Sequence, residues 1–417
     1  MKPGNDHAFD LTSWQAIADH LGVSVRNAQY WKKKHGLPVR RLSPGSKGRV
    51  CASKAELDEW QRQNRAAFPE AVPARLPWLI CALAGLAVPL VFLGGVLFGR
   101  RSDPAALAVD GEYLVANDQQ GHEVWRTRMP WPPEGALYAR SGLATQRRFQ
   151  FVDLTGDGQN ELLAQYAPEG YQTRGHFLYA IGSKGQVLWK FKPGREIVDG
   201  RTTFSPFFGL NSFAVVDLKG GKELWVALTG SHLMYYPNHV AVLDAKGNLR
   251  GEYFHSGHLR HLLAEDLDQD GEPELILGGA NVGRHQATLV VLDPRKVSGA
   301  SVQPAGDPSA FKGFSKATEK VVVYFPRSCI GLHEDFDIVS QFRISENRIS
   351  VVVQQGVNDR APYYLIFELD WKLNLLGVVP SDTYAARHRE LEAQGLLKHA
   401  YSVAEIDLLR SQYVVRQ

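Results

Sequence analysis

The chain has 417 residues, 44% hydrophobic and 22% charged, with 39 Gly, 19 Phe, 15 Tyr and 9 Trp; this excludes a disordered or collagen-like protein, and the length predicts two or three domains. Its net charge of +3 is unevenly placed: residues 1–75 carry 13 Lys/Arg against 7 Asp/Glu, and the remainder 34 against 37, so the basic first fifth suits an anionic partner. Three cysteines, Cys51, Cys81 and Cys329, exclude a disulfide framework, and the large remainder must be held by packing.

In chain order, LTSWQAIADHLGVSVRNAQYWKKKH (11–35) comes first. Trp14, Ile17, Ala18 and Leu21 recur at i, i+3, i+4, i+7 and predict one apolar helix face, with Thr12 and Gln15 as a capping box. Gly22 supplies a turn, Ser24 caps a second helix, and Val25 and Ala28 pack back on the first. The second helix then presents Arg26, Asn27, Gln29, Tyr30, Lys32, Lys33 and Lys34, side chains suited to base edges and phosphates. LPVRRLSPGSKGRV (37–50) predicts two short strands around a Pro-Gly turn with a basic tip, and Ser53 with Glu56 predicts a cap for a third helix carrying Leu57 and Trp60.

Helix-turn-helix, basic hairpin, short helix: with the YW of the second helix and the KAELDEW after the hairpin, residues 9–63 resemble the excisionase/MerR-like winged helix. The resemblance implies DNA binding by Arg26, Asn27, Tyr30 and Lys32, with a wing of Arg40, Arg41, Lys47 and Arg49 on the backbone. The winged helix-turn-helix domain is placed at 1–65 and a Pro/Ala-rich linker at 66–75. From Leu76 to Gly99 run 24 residues without a charge, longer as a helix than the roughly 30 Å hydrocarbon core. Arg75, Trp78, Arg100 and Arg101 are suitable interface anchors, and a single transmembrane helix is expected over 76–99.

The body, 100–417, carries two segments of one pattern: Asp153-Leu-Thr-Gly-Asp-Gly-Gln-Asn-Glu161 and Asp266-Leu-Asp-Gln-Asp-Gly-Glu-Pro-Glu274. Oxygen-bearing side chains at positions 1, 3 and 5, glycine at 6 and an acid at 9 are what a Ca²⁺ loop needs. Strand-like flanks and closure at the ninth residue exclude an EF-hand. The pattern is similar to the FG-GAP/VCBS repeat of integrin-type β-propellers. That resemblance implies side-chain ligands Asp153, Thr155, Asp157 and Glu161 in one loop and Asp266, Asp268, Asp270 and Glu274 in the other, with carbonyls of Gln159 and Glu272, for one or two calcium ions. The second loop is the fuller match, because Thr155 stands where the first wants an acid. Asp217–Glu223 sits at the equivalent place without ligands.

A second phrase interleaves: LVANDQQGHEVWR (114–126), LYAIGSKGQVLWK (178–190), VAVLDAKGNLRGE (240–252), and looser copies at 289–299 and 365–377. Repeated strand-turn-strand units predict an all-β propeller of about five blades, five to seven if residues 300–345 hold more. Residues 383–399 read as a helix, and the terminal YSVAEIDLL and SQYVVRQ as strand returning to the first blade. His255, His258 and His261 form the sole histidine cluster, and alternation on a strand turns His258 away from the other two. No nucleophile elbow, P-loop or zinc-protease motif occurs, so no enzyme is expected.

The multidomain order predicts a membrane-tethered one-component transcription regulator with its N-terminus cytoplasmic on DNA. A calcium-binding propeller lies outside the membrane to sense a ligand or protein partner, with homodimerisation as one route of coupling. The alternative is an envelope adhesion or scaffold protein whose propeller binds glycan or protein and whose head is an adaptor.

Overall fold

A computed structural model describes residues 10–21, 23, 25–41, 50–63, 103–138, 143–168, 176–199, 202–218, 220, 223–232, 236–303, 311–345, 348–356 and 363–416, with Arg41 described as backbone only. Leu76–Gly99, Lys47 and Arg49 lie outside these residues. No helix among the described residues is long and apolar enough to cross a membrane. The chain divides into two compact units, Met1–Gly99 and Arg100–Gln417.

The first unit contains α1 (Trp14–Leu21), α2 (Val25–His35), a ribbon of β1 (Arg40–Arg41) and β2 (Val50–Cys51), and α3 (Lys54–Gln63). The apolar spacing does what it predicts: Ile17, Ala18 and Leu21 are buried with Ala28, Leu57 and Trp60 in one core. The caps differ from expectation by a residue or a partner. Ser13 Oγ, not Thr12, accepts from the Ala16 N–H at 3.1 Å, and Gln15 donates instead to Asp19 at 2.9 Å. At α3 the Asp10 carboxylate accepts from the Lys54 N–H at 3.1 Å, while Glu56 turns to Arg40. A side-chain oxygen one turn before the free N–H groups serves equally well from any of these positions. Trp60 packs on Trp31 at 5.7 Å and its indole donates to the His35 carbonyl at 3.0 Å, tying α3 to the end of α2.

The second unit is β-rich; its described residues form five larger antiparallel sheets in succession and one two-stranded ribbon. The first has three strands, β3 (Ala106–Asp110), β4 (Tyr113–Asn117) and β5 (Glu123–Arg128). The second holds β6 (Phe149–Val152), β7 (Glu161–Tyr166), β8 (Phe177–Ile181) and β9 (Val187–Phe191). After a small ribbon of β10 (Ile197–Asp199) and β11 (Thr202–Phe204), the third holds β12 (Phe208–Leu218), β13 (Glu223–His232), β14 (Asn238–Asp244) and β15 (Leu249–His255). The fourth holds β16 (Gly257–Glu265), β17 (Glu274–Asn281), β18 (Gln286–Leu292) and β19 (Glu319–Tyr324); the fifth β20 (Ile338–Ser345), β21 (Arg348–Gln355), β22 (Tyr363–Leu369) and β23 (Leu375–Pro380).

The repeated phrases fall on the last two strands of the first, second, third and fifth sheets. In the fourth the phrase covers β18 only, because the chain leaves at Asp293 and returns as β19 at Glu319. The described residues of 300–345 therefore complete the fourth sheet and begin the fifth, and add no further one.

Cores lie between successive sheets. Leu114 and Trp125 meet Leu162 and Tyr179; Leu163 and Leu178 meet Phe213 and Leu228; Val216 and Tyr253 meet Leu262 and Leu277; Ile276 and Leu289 meet Val351 and Phe367. Each inner sheet is thus covered on both faces, which is why β7 and β17 are buried at every residue and read in sequence as nearly unbroken apolar runs. Among the described residues no core joins the first sheet to the fifth.

A polar latch adds direction to one of these interfaces. Asn238 Nδ2 lies 3.0 Å from each of Thr229 Oγ1, Ser231 Oγ and the Leu259 carbonyl, shares its two hydrogens among them, and is fully buried. Asn238→Ala takes the Asn238 donor from the Thr229 hydroxyl, while the Leu259 carbonyl keeps Thr229 and Asn211 as donors and Ser231 Oγ keeps Asn211, so it should lower the unfolding free energy by about 1–2 kcal/mol. Urea denaturation of wild type and variant measures it, and a loss below about 0.5 kcal/mol would mean the latch contributes little.

The C-terminus departs from expectation. The helix read over 383–399 stops earlier: α4 spans Asp382–Ala393, with Ser381 Oγ accepting from the Tyr384 N–H and Gly395 at φ +71° reversing the chain. YSVAEIDLL is largely α5 (Val403–Gln412), with Ile406 and Leu409 one turn apart in the core of the last two sheets. β24 (Val414–Arg416) then pairs with β19 of the fourth sheet, not with the first. Docking of α5 leaves one residue, Tyr413, before β24, so the strand joins the nearest open edge.

Candidate DNA-binding face, cation loops and polar pocket

In α2, Val25, Ala28 and Trp31 belong to the core side, and Arg26, Asn27, Gln29, Tyr30 and Lys33 are exposed; Tyr30 retains 54% of its surface. Arg26, Gln29, Tyr30 and Lys33 fall at i, i+3, i+4, i+7 and form one face. Two residues assigned to DNA contact have partners within the head. Lys32 stands four residues after buried Ala28, so it shares that side of the helix and its ammonium donates to the Val39 carbonyl. Arg40 pairs with Glu56 at 2.8 Å, fastening the ribbon to α3. Arg41 is placed in β1 without a described side chain, and Lys47 and Arg49 are outside the described residues.

Both Asp-rich loops join the first strand of a sheet to its second: 153–160 links β6 to β7 and 266–273 links β16 to β17. Asp217–Glu223 occupies the same place in the third sheet. In the first loop Asp153 accepts from the N–H groups of Gly156, Asp157 and Gly158 at 2.8–3.0 Å, Asp157 from Gln159, and buried Glu161 from Leu154 and Thr155. The Gln159 side-chain oxygen accepts from Ser183 at 2.8 Å, and Thr155 is exposed. In the second loop Asp266 accepts from Asp270 and Gly271, Asp270 from Glu272, and buried Glu274 from Leu267. Gly271, at φ +91°, makes the turn that lets one carboxylate collect these donors.

The loops differ in what their carboxylates converge on. Oxygens of Asp266, Asp268 and Glu274 lie within 4.8 Å of one another. Between them stands Lys320 of β19, its Nζ 2.7 Å from Asp268 and 2.5 Å from Glu274. Burial works against the lysine's charge, but its bonds to Asp268 and Glu274 hold its pKa above the ordinary range, and Lys320 in turn lowers that of Asp268. Glu272 pairs with Arg295 at 3.1 Å. Nothing near Asp266 in sequence signals Lys320, which arrives from the far strand of the same sheet.

A third feature was not read from the sequence. A cavity of ≈ 300 Å³ is lined by Arg148, His176, Asn211, His258 and Arg260 together with Glu134. Arg148 donates to Gln165 and to the Asn211 carbonyl at 2.8 and 3.1 Å; burial and the neighbouring Arg260 charge lower its pKa. Burial brings His176 down to about 4 and His258 to about 3, so both are neutral at physiological pH. Two guanidinium groups against one carboxylate make the pocket net cationic.

Of the histidine cluster only His258 lines this pocket; His255 bonds the Tyr253 hydroxyl at 2.8 Å and His261 that of Thr145 at 3.0 Å. A β-bulge at Arg260 interrupts the alternation, placing Leu259, Leu262 and Ala264 together in one core. His258 is therefore not turned away from His261, as strict alternation predicts, and the two imidazoles interact electrostatically.

No family model and no curated protein matches the chain. Among solved structures it is similar to a protein of unknown function from Bacteroides caccae (12% identity, 68% of this chain and 96% of that one, TM-score 0.25). It is also similar to the Dos1 propeller (10% identity, 65% of each chain, TM-score 0.33). A third similarity is to the V. cholerae biofilm matrix protein Bap1 (12% identity, 68% of this chain and 57% of that one, TM-score 0.21).

Proposed function

We propose that the chain is a membrane-tethered, one-component transcription regulator. Its excisionase/MerR-like winged-helix head binds DNA through α2, residues 76–99 cross the membrane once, and an FG-GAP/VCBS-like propeller body senses a ligand outside the cytoplasm. The observation that carries the reading is α2 itself. It gives Ala28 to the core and leaves Arg26, Gln29, Tyr30 and Lys33 exposed on one face, the mixture of guanidinium, amide, aromatic and ammonium groups that major-groove contact uses.

For the body, the polar pocket between β7, β12 and β16 supports a small anionic ligand, held by Arg148 and Arg260 against neutral histidines. Calcium fits the Asp266 loop by the gathering of its three carboxylates, with Lys320 as the competing cation. Asp153, Asp157 and Glu161 offer a second, weaker set.

The test uses the full chain in nanodiscs and fluorescently labelled duplex from the region upstream of its own gene, with anisotropy read over a salt series. Binding is expected to weaken steeply as salt rises, as counterion release requires. Absence of salt-dependent binding to that duplex and to unrelated DNA would remove the regulator reading in favour of the adhesion or scaffold alternative.

A further inference from the structure

Four side chains distant in sequence meet where α4, α5 and the segment after β19 come together. Cys329 Sγ lies 2.8 Å from Glu405 Oε1, His388 Nε2 lies 3.1 Å from Glu405 Oε2, and the Nε2 atoms of His388 and His399 are 3.4 Å apart. His399 Nε2 is 3.9 Å from Glu405 Oε2, and one ligand atom from each of the four residues falls within 4.8 Å of the rest. Adjacent ligand atoms of a tetrahedral zinc ion, at about 2.0–2.3 Å from the metal, are themselves about 3.3–3.8 Å apart. The observed separations bracket that range. We propose that Cys329, His388, His399 and Glu405 bind one zinc(II) ion as a thiolate, two imidazoles and a carboxylate.

Three further observations support this assignment. His388 is fully buried and Glu405 is 8% exposed, yet Glu405 Oε2 has no hydrogen-bond partner, although two imidazole nitrogens face it. A shared cation satisfies that oxygen and both nitrogens at once. An outer shell is also present at Glu405, where the Tyr384 hydroxyl donates to Oε1, and the charged Glu392 carboxylate lies 3.8 Å from His388 Nδ1, too far for a hydrogen bond. Partners such as Tyr384 orient metal ligands. Finally, Cys329, His399 and Glu405 line a pocket of ≈ 680 Å³, which gives the ion an entry path. The donor set is too soft and too nitrogen-rich for calcium, so the site is distinct from the Asp-rich loops and stands independently of the regulator reading.

The Cys329 thiol must lose its proton to ligate, so one proton leaves as each ion enters and affinity rises with pH.

Metal-stripped full-length protein in detergent is titrated with Co²⁺ as a spectroscopic stand-in for zinc. About one equivalent should produce the visible bands of tetrahedral cobalt and a thiolate-to-cobalt charge-transfer band, both abolished by Zn²⁺. Cys329→Ser should remove the charge-transfer band, which separates this thiol from Cys51 and Cys81. His399→Ala, at a half-exposed side chain whose loss the fold tolerates, should weaken binding at least about tenfold with unchanged circular dichroism. A wild-type chain without the tetrahedral spectrum overturns the assignment. So does an unchanged cobalt titration in His399→Ala, which decides the matter if Cys329→Ser misfolds.

Discussion

Lys320→Met should bind calcium at the Asp266 loop at least about tenfold more tightly than the wild-type chain. The lysine's ammonium bridges Asp268 and Glu274 at 2.7 and 2.5 Å and so stands where a divalent ion would contact the same oxygens. Any calcium entering the wild-type loop must first displace it, and removal of like charge from between two carboxylates strengthens their hold on a cation. Methionine keeps the length and apolar stem of the lysine without its charge. Calorimetric titration of the full chain measures the gain, and melting in calcium against chelator gives a second readout. The wild type should melt nearly alike in both, Lys320→Met should separate them, and Asp268→Ala with Lys320→Met should erase the difference. Equal calcium affinity in Lys320→Met and wild type would mean that the lysine is not a competitor and that the loop is closed to metal for another reason.

The local order of the body was legible because strand, turn and strand repeat within a dozen residues. Leu178–Ile181 and Val187–Phe191 alternate around a Gly-containing turn, and the Asp-rich loops punctuate the same position of two sheets. Local patterns settle local structure. The helices of the head were legible for the same reason, from Ile17, Ala18 and Leu21. What escaped reading depends on long-range placement. Lys320 reaches Glu274 from 46 residues away, and Cys329 reaches Glu405 from 76. His399 meets His388 only because α4 stops at Ala393; the helix expected through that residue would carry the two histidines three turns apart along one rod. The bulge at Arg260 is a single unpaired residue with no local signature, yet it re-aims every side chain after it in β16.

Binding of DNA should fall about a hundredfold at physiological salt in the double variant Arg26→Ala, Lys33→Ala, with the head still folded. Both residues lie on the exposed face of α2, seven positions apart and therefore two turns along one line. In the proposed docking Arg26, near the helix start, would reach base edges and Lys33 phosphate, so the first substitution should relax sequence preference and the second should weaken all sequences alike. The salt slope should drop by about 1 for each lost phosphate contact. Lys32→Ala discriminates this from a general loss of basic charge. It removes the same formal charge one residue away, but Lys32 donates to the Val39 carbonyl on the core side. Its main effect should be a loss of about 1 kcal/mol in stability, with a far smaller change in DNA affinity than Lys33→Ala. Anisotropy titrations and thermal melts of the wild type and these variants separate the cases. Equal weakening by Lys32→Ala and Lys33→Ala at equal stability would mean that only bulk charge matters and that α2 has no reading face.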